Sequence, residues 1–401
     1  MRRARAILPL VAGAGCLAGV VLAVLASRHT TITEHSPVRP PGGWRDAWTW
    51  GLVGAFVLYV AGLALLRRGA APRAAVLVLA AAIQLAPLAA PLLLSTDAYS
   101  YWDYGRVAAV HHGNPYADRP SRFPDDPAYR RMGRDWQHKP SVYGPVFTLG
   151  SEGVAHAAGD SPRSATRAFR IAAAVAMVAL AALASLWGSF AAAFVGWSPL
   201  LALHFAGGGH NDVLMMLFVL AALAATRTGR YRWAGPAWVA ALSMKMTALV
   251  FLPLRVLEAQ RRGRQVSHWS FVAAALVVAA VAFARYGPDW LGVLSPVANQ
   301  LHSTSSLGLP YWADKLGLSE RRATEALLAA YAVFYLWLLW EAWRGRARLG
   351  LAACGLLLAT SWLQPWYAVW AVPLAAVEED TLARLAALAL SAYFLHDALP
   401  I

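Results

Sequence analysis

The chain is poor in charged residues and in cysteine. Charged side chains make up 14% of its 401 residues and hydrophobic ones 59%, whereas a soluble domain carries about 25% charged residues. The two cysteines, Cys16 and Cys354, both lie inside apolar runs, which argues against a disulfide and against a cysteine metal site. No internal repeat, coiled-coil pattern or low-complexity tail is evident. These scarcities exclude a soluble globular domain and indicate a polytopic membrane protein.

Apolar runs long enough to be membrane spans recur along the chain, since a span needs about 20 mostly apolar residues. The first run follows a basic start, as in a signal peptide, but it exceeds the roughly 7–15 residues of a signal h-region. We interpret it as a retained span, with cleavage after Ala26 as the alternative. The expectation is a single all-α integral-membrane domain over residues 1–401 with about 10–12 transmembrane helices. Candidate spans are 7–26, 48–66, 74–94, 166–187, 189–205, 213–226, 269–286, 321–342, 349–363, 367–377 and 382–398.

The net charge of +14 comes from arginines in short segments between the apolar runs. These segments read MRRAR, RRGAAPR, RTGRYR, RRGR and RGRAR, the pattern that the positive-inside rule predicts. The basic charge therefore indicates contact with membrane lipids rather than with nucleic acid. With the N-terminus inside, the loops 95–165 and 287–320 and the segment AGGGHND are expected outside.

One segment, 233–254, does not fit a simple crossing. A crossing would place the basic segment RVLEAQRRGR outside, and it would put Lys245 near the bilayer centre, at a cost of about 2.5–3.5 kcal/mol. Both problems vanish if the segment re-enters and returns to the same face, with Lys245 near its apex in a polar cavity. Labelling of cysteines placed at 229 and 262 distinguishes the two paths, because a crossing would make them accessible from opposite sides.

Carboxylates and tyrosines follow directly on the third apolar run, in LSTDAYSYWDYG. If the helix continues, Asp97, Tyr101 and Tyr104 share one face at i, i+4 and i+7, while Asp103 points elsewhere. The alternative role for Asp97 is a helix cap. The loop 95–165 carries eight basic and eight acidic residues and is rich in Tyr, Trp, Pro and Gly. Aromatic rings beside carboxylates suit sugars.

A second polar cluster lies on the same predicted face, in HFAGGGHND. It contains His210, Asn211 and Asp212 after three glycines, which permit a sharp turn and a close approach. Asn211 or Asp212 could instead cap the next helix. His210 could also join Asp97 and Asp212 around a divalent cation, although no second histidine lies at a useful spacing.

Two further aromatic motifs lie in regions predicted outside or at the interface. In HKPSVYGPVFTLGSE, a turn at Tyr143 leads into a semi-apolar stretch that could position Tyr143 and Glu152. In SWLQPWYAVWAVPL, Pro365 breaks an apolar run among three tryptophans. This motif fits either an interfacial aromatic belt or substrate contact.

An outer carboxylate, aromatic loops and a membrane-buried cation together suit glycosyl transfer from a lipid-phosphate sugar. A phosphate leaves without prior protonation, so the acid–base pair of a glycoside hydrolase reduces to one base, which takes the proton of the attacking hydroxyl. Asp97 is the candidate base. Lys245, Arg106 or a metal could stabilise the leaving phosphate.

At these residues the chain resembles a known family. DAYSYWDYGRVAAVHHGNPY, W…SVYGP, GGGHND and QPWYAVWAVPL, in this order, are similar to motifs of the actinobacterial polyprenol-phosphate-mannose-dependent α-mannosyltransferases, over roughly residues 75–375. The resemblance implies a GT-C fold in the bacterial plasma membrane, with the active site on the extracytoplasmic side. It also implies a polyprenyl-phosphate sugar donor, inversion, and a glycolipid or polysaccharide acceptor in the cell envelope. It places the catalytic base at Asp97. Two features depart from the family pattern. In SVYGP the position after the serine holds Val142, where related sequences usually have proline, and the chain is short for the family.

The expected substrate-binding residues are Tyr101, Asp103, Tyr104, Arg106, Tyr143, His210, Asn211, Asp212, Lys245, Gln364, Trp366 and Tyr367. The sequence assigns no definite cofactor, and a divalent cation stays an alternative. The competing interpretation is a transporter or lipid flippase, since re-entrant segments and intramembrane charges also occur there. A non-catalytic assembly subunit would leave Asp97 and Asp212 without a task.

Overall fold

The computed structural model describes residues 2–29, 42–69, 71–294 and 303–399. Within these ranges the regular structure is helical, and no β-strand occurs. The α-helices in chain order are α1 (Arg2–Ser27), α2 (Gly43–Arg68), α3 (Arg73–Leu85), α4 (Asp97–Ala109), α5 (Pro145–Ala158), α6 (Pro162–Ala184), α7 (Ser189–Gly196), α8 (Pro199–Ala202), α9 (Asp212–Arg227), α10 (Tyr231–Met244), α11 (Leu252–Arg261), α12 (His268–Tyr286), α13 (Leu309–Lys315), α14 (Glu320–Trp343), α15 (Leu349–Ala359), α16 (Ala368–Val377) and α17 (Thr381–Asp397).

Long apolar helices confirm the prediction of an all-α polytopic membrane protein. Among the described residues, five helical segments are long and apolar enough to cross a membrane: Ala6–Ser27, Gly43–Arg68, Pro162–Trp187, His268–Val293 and Glu320–Trp343. The pair α7 and α8, extended to Gly207 and bent by 49°, makes a sixth as one broken span. Three predicted spans, 74–94, 349–363 and 367–377, form shorter apolar helices.

The third predicted span ends before the residues that follow it in LSTDAYSYWDYG. Helix α3 passes into a short 3-10 turn, Ala86–Ala89, which contains a proline, and the chain then runs without helix to residue 96. Leu94 adopts a left-handed backbone, with φ of 61°, which costs a non-glycine residue of order 1 kcal/mol. The expectation that this helix continues through Asp97 is therefore wrong, because α4 is a new helix.

Two cavities mark opposite ends of the helices that cross the core. Helix α9 begins with Asp212 at one cavity and ends with Arg227 at the other. Helices α15 and α16 run between the same two levels, with Leu349 and Val377 lining the second cavity. Arginines from three of the five basic segments predicted to lie inside, RTGRYR, RRGR and RGRAR, line this second cavity. We therefore call it the arginine cavity and its face the predicted inner face.

The segment 233–254 forms a helical hairpin. Helix α10 packs along α9 and ends where Lys245 reaches Asp212. A 3-10 segment, Met246–Val250, and α11 then lead back to the arginine cavity, which Arg262 lines together with Arg227. This path matches the predicted re-entrant one, with Lys245 at the apex.

The loop 95–165 folds over the first cavity with two helices, α4 and α5. They pack against each other and against α6. Helix α6 begins at Ser161, whose hydroxyl accepts a hydrogen bond from Ser164 N at 3.2 Å, as a helix N-cap does. Tyr101 packs edge-on against Phe169 of α6, so the loop has its own aromatic core.

Candidate active site

Asp97 is the first residue of α4, and its carboxylate borders the first cavity. The Tyr101 hydroxyl, one turn later, lies 3.4 Å from Asp97 Oδ2 and 3.3 Å from Asn211 Oδ1, as donor to both. Burial, and then the charge of Asp97, raise the pKa of Tyr101 well above its usual value, so the hydroxyl stays protonated. Asp97 does not cap a helix; its own N–H donates to Ser95 Oγ at 3.1 Å. Its side chain, 18% exposed, remains available to a ligand.

His210 lies against the same carboxylate from the glycine-rich segment. Its Nδ1 is 3.2 Å from Asp97 Oδ2, and its ring stacks on Trp366 with centroids 3.6 Å apart. The preceding Gly209 has φ of 78°, which an L side chain rarely adopts, and a Cβ there would meet Arg170 at 3.2 Å. The glycine turn thus places a fully buried imidazole behind Asp97.

Lys245 and Asp212 form an ion pair at the apex of the hairpin. Lys245 Nζ lies 2.6 Å from Asp212 Oδ1, and the same oxygen accepts a hydrogen bond from Trp370 Nε1 at 2.8 Å. The ammonium also lies 4.8 Å from the Tyr367 ring centroid, within cation–π range. The Lys245 side chain keeps 18% exposure whereas Asp212 keeps 1%, so the cation faces the cavity and the carboxylate anchors it from behind.

The Tyr143–Gly144 turn holds the hairpin apex in place. Gly144 N donates to Met244 O at 3.1 Å, immediately before Lys245. A Cβ on Gly144 would lie 2.1 Å from Ser243 O, so only glycine permits this backbone approach. The Tyr143 ring packs edge-on against Tyr101, with centroids 5.0 Å apart. The SVYGP motif therefore connects the loop 95–165 to the hairpin apex at Lys245.

The cavity between these groups has a volume of about 110 Å³. Carboxylate, ammonium and amide groups and several aromatic rings surround it. Its lining residues are Asp97, Tyr101, Trp136, Val142, Tyr143, Asn211, Asp212, Lys245, Trp362, Gln364, Trp366 and Tyr367. Polar groups among aromatic rings are suited to hydroxyl-rich ligands.

The structure brings together most of the predicted site residues. Tyr101, Tyr143, Asn211 and Asp212 line the cavity with Lys245. Three of the four QPWY residues line it as well, Gln364, Trp366 and Tyr367, so this motif belongs to the cavity wall. Asn211 makes no side-chain cap to α9, which removes capping as its role.

Arg106 is not at the cavity, contrary to the prediction. Its guanidinium is 2.8 Å from Asp126 Oδ2 and 2.8 Å from Asp160 Oδ1. It also donates to Gly159 O at 2.7 Å. Because these acceptors occupy the guanidinium, Arg106 stabilises the loop fold and does not face a leaving phosphate.

Asp103 and Tyr104 also lie outside the cavity wall. Burial, and then the nearby Asp126 carboxylate, raise the pKa of Asp103 from 3.8 to about 8, so it is largely neutral at pH 7. The Tyr104 hydroxyl donates to Lys139 O at 3.1 Å, and its ring packs against Tyr143 with centroids 6.1 Å apart. Tyr104 therefore supports the wall from behind, while Asp103 faces the loop interior.

Glu152 is likewise directed away from the site. It pairs with Arg285 at the end of α12 and accepts from the Tyr286 hydroxyl at 3.3 Å. The loop 287–320, predicted to lie outside, also contacts the segment that precedes Gln364: Ser305 Oγ donates to Leu363 O at 2.6 Å. Residues 295–302 of that loop lie outside the described ranges.

The expected substrate-binding residues did not include three tryptophans of the site, Trp136, Trp362 and Trp370. Trp136 lies in a short 3-10 turn, Arg134–Trp136, and contributes a ring to the cavity; it is the tryptophan that precedes SVYGP in the family resemblance, where it was given no role. Trp370 was assigned only to an aromatic motif, yet it is a direct partner of Asp212. It lies three residues after Tyr367, and the two rings stack with centroids 4.1 Å apart.

The geometry does not support the alternative of a cation held by Asp97, His210 and Asp212. Among the described residues, no group of three His, Cys, Asp or Glu side chains is arranged to hold a metal ion. Asp212 instead binds Lys245 and Trp370. The cationic group that this site offers is an ammonium.

Comparisons with known proteins match the chain to two family descriptions and to several named relatives. A family described as "Alpha-(1->6)-mannopyranosyltransferase, N-terminal domain" matches residues 9–261, and "MptB C-terminal domain" matches residues 322–400. Alpha-(1->6)-mannopyranosyltransferase B of Corynebacterium glutamicum is 28% identical over 78% of this chain and 60% of its own length. Alpha-(1->6)-mannopyranosyltransferase A of Mycobacterium tuberculosis is 29% identical over 75% and 65%.

A probable alpha-(1->6)-mannopyranosyltransferase of Mycolicibacterium smegmatis is 27% identical over 72% of this chain and 62% of its own length. The chain thus spans about three-fifths of the length of these relatives. No solved structure matches it. Since the first family match alone covers more than half of the 401 residues, this chain belongs to the alpha-(1->6)-mannopyranosyltransferase family.

Proposed function

We propose that the chain is an inverting glycosyltransferase that moves mannose from a polyprenyl-phosphate donor to a hydroxyl of a cell-envelope glycolipid or polysaccharide. The names of two relatives, alpha-(1->6)-mannopyranosyltransferases A and B, support mannose as the sugar. The proposed reaction takes place on the extracytoplasmic side of the bacterial plasma membrane. One observation carries the proposal: the Asp97 carboxylate and the Lys245 ammonium line one aromatic cavity, at the opposite end of α9 from the arginine cavity.

The position of the cavity supports a lipid-linked donor. The positive-inside rule assigns the arginine cavity to the cytoplasmic side, so the Asp97 end of α9 faces outward. The polyprenyl tail would remain in the bilayer, and the phosphate and sugar would enter the cavity at the interface. Trp136, Trp362 and Trp366 supply faces on which a sugar ring can stack.

In the proposed step Asp97 acts as the general base. Its oxygen accepts the proton of the acceptor hydroxyl while that oxygen attacks the anomeric carbon. The bond between the anomeric carbon and the phosphate oxygen breaks, and the phosphate leaves with the electron pair. Tyr101 and His210 position Asp97 from two sides.

Lys245 stabilises the charge that develops on the leaving phosphate, as a preorganised cation does. Asp212 holds the ammonium in position. A carboxylate on one side of the anomeric carbon and a cation on the other suit direct displacement and hence inversion.

The test replaces Asp97 by Asn, which keeps its size but removes the base. The purified full chain is incubated with radiolabelled polyprenyl-phosphate mannose and a membrane acceptor fraction, and labelled product is measured. We expect Asp97→Asn to abolish transfer. The matched control is Asp103→Asn on the same helix, which should keep near-wild-type transfer because that buried carboxyl is already largely neutral.

Near-wild-type transfer by Asp97→Asn would refute the assignment of the base. The same assay separates the enzyme from a transporter. Detergent-solubilised protein has no second compartment, so net turnover of the donor there supports an enzyme. Absence of turnover by the well-folded wild-type chain, with accumulation of donor across vesicles, would favour transport.

A further inference from the structure

A second, larger cavity lies at the opposite end of the molecule from Asp97. This arginine cavity has a volume of about 670 Å³. Six arginines and four carboxylates line it, together with several uncharged residues. The charged ones are Arg227, Arg255, Arg262, Arg264, Arg346, Arg348, Glu258, Glu378, Glu379 and Asp380. They come from segments far apart in sequence, so tertiary folding concentrates them around one space.

Several of the cavity's carboxylates are already neutralised. Glu258 pairs with Arg255 and, at 3.3 Å, with Arg262. Asp380 Oδ2 lies 2.7 Å from Arg348 Nε. Burial raises the pKa of Glu378 to about 8, so this carboxyl carries little negative charge at pH 7.

Two of the cavity's six arginines have no carboxylate partner in the described chain. Arg227 and Arg264 are exposed to the cavity without an ion pair to any described residue, although Arg227 lies over the Trp187 ring at 5.1 Å. The Nε of Arg255 is buried and has no hydrogen-bond partner among the described residues. Burial, then the charges of Arg264 and Arg262, lower the pKa of Arg255 to about 10. The cavity is thus electrostatically prepared for an anion.

An apolar cleft adjoins this cavity. The cleft lies between α10, α11 and α12 and has a volume of about 200 Å³. Thr226, Tyr231 and Arg255 line both spaces, so the cleft and the arginine cavity are adjacent and share part of one wall. The apolar side chains of the cleft include Ala234, Trp238, Leu252, Val256 and Phe271.

The cleft is bordered by a helix that faces lipid. In the apolar stretch of the α12 segment, His268–Val293, only 11% of the residues are buried inside the protein. Trp233 and Trp269 near the cleft are 58% and 85% exposed, as expected for aromatic side chains at a membrane interface. A hydrocarbon chain can therefore enter the cleft from the bilayer while its polar end reaches the arginines.

We propose that the arginine cavity and the adjoining cleft bind an anionic phospholipid of the inner leaflet. Its phosphate lies between Arg227, Arg255 and Arg264, and one acyl chain lies in the cleft. The charge excess selects an anion, and the adjacent apolar cleft selects a lipid over a soluble phosphate compound. The bound lipid would brace the base of the α10–α11 hairpin, whose apex carries Lys245.

The test measures retained lipid and does not depend on transfer activity. The full chain is reconstituted in bilayer discs with equal amounts of phosphatidylglycerol and phosphatidylcholine, extracted, and analysed by native mass spectrometry. We expect the wild type to retain phosphatidylglycerol preferentially. The variant Arg227→Gln/Arg264→Gln breaks no ion pair of the described chain. It should retain roughly 30-fold less phosphatidylglycerol, because each cation near the membrane surface contributes about 1 kcal/mol to the binding of an anionic lipid and two are removed.

Two comparisons make the result specific. Arg321→Gln/Arg322→Gln removes the same charge from the exposed start of α14 and should leave retention unchanged. Ala234→Phe fills the cleft and should lower retention of the lipid without removing charge. If that variant fails to fold, the arginine comparison alone decides.

The proposal is overturned if both double-arginine variants lose lipid equally, or if the wild type shows no preference for phosphatidylglycerol. It is also overturned if a folded Ala234→Phe protein retains lipid normally and inorganic phosphate alone displaces the headgroup. That combination would indicate a site for a soluble anion.

Discussion

Replacing Lys245 by Met separates the catalytic from the structural role of the ion pair at the hairpin apex. Lys245 Nζ lies 2.6 Å from an Asp212 oxygen, and the Asp212 side chain is only 1% exposed. Removal of one partner from a buried pair leaves an uncompensated charge and typically costs about 3–5 kcal/mol of unfolding free energy. Loss of a preorganised group that faces developing charge typically lowers turnover by about 100- to 1000-fold. We therefore expect Lys245→Met to lose both stability and activity.

The double variant Lys245→Met/Asp212→Asn distinguishes these two losses. It removes the orphaned carboxylate charge, and Asn can still accept the hydrogen bond that Trp370 donates at 2.8 Å. We expect the unfolding midpoint in detergent to recover most of the way to wild type, while transfer from radiolabelled donor stays about 100-fold or more below it. Lys315→Met, on the exposed end of α13, should change neither quantity. If the double variant regains near-wild-type turnover, Lys245 serves only to neutralise Asp212, and its role at the leaving phosphate is refuted.

Three further predictions address the surroundings of the site. Tyr101→Phe removes a hydroxyl that makes two long hydrogen bonds. Since such hydrogen bonds contribute about 1 kcal/mol, turnover should fall only about 5- to 10-fold. A loss above about 100-fold in steady-state transfer would show that the hydroxyl takes part in the chemistry. Gly144→Ala places a Cβ 2.1 Å from Ser243 O and should lower the unfolding free energy by about 1–3 kcal/mol. The control Gly150→Ala lies in open space on α5, the helix that Gly144 precedes. It should be neutral or stabilising by up to about 1 kcal/mol. Equal midpoints for these two variants in thermal unfolding would contradict the close backbone approach. The folded-state pKa of Asp103 is raised to about 8, so the folded protein holds this proton more tightly than the unfolded chain does. The free energy of unfolding should therefore fall as pH rises from about 4 to 8. Asp103→Asn should flatten that decline in thermal scans across pH, and an unchanged slope would contradict the raised pKa.

Local sequence patterns predicted the helices and the two faces of the protein. Apolar runs form helices because a helix satisfies its own backbone hydrogen bonds in lipid. Arginine clusters separated by more than 100 residues line one cavity, as the positive-inside rule predicted. The i, i+4 spacing of Asp97 and Tyr101 also brought their side chains together, since that relation depends only on helical periodicity.

Periodicity did not reveal what packs on each face of α4. Arg106 and Asp103 were assigned to substrate, but Arg106 binds Asp126 and Asp160, which lie 20 and 54 residues further along an irregular loop. No periodic pattern connects such positions. The helix break before Asp97 was missed for a similar reason. Leu93 N donates to Gly207 O at 3.0 Å, and that tertiary contact holds the chain in its non-helical path.

The amino-acid sequence by itself determined that the chain is an α-helical membrane protein, which end of its helices carries the arginines, and which short motifs carry polar groups. These properties depend on composition and on spacings of a few residues, and each is set by the local cost of placing charge or backbone in lipid. Only the tertiary structure decided that Asp212 anchors Lys245, that Gly144 positions the hairpin apex, and that Trp136 completes the cavity. The Asp212–Lys245 and Gly144–Met244 contacts join residues 33 and 100 positions apart. All three arrangements exist because the folded helices must share one buried space, a condition that no local stretch of sequence expresses.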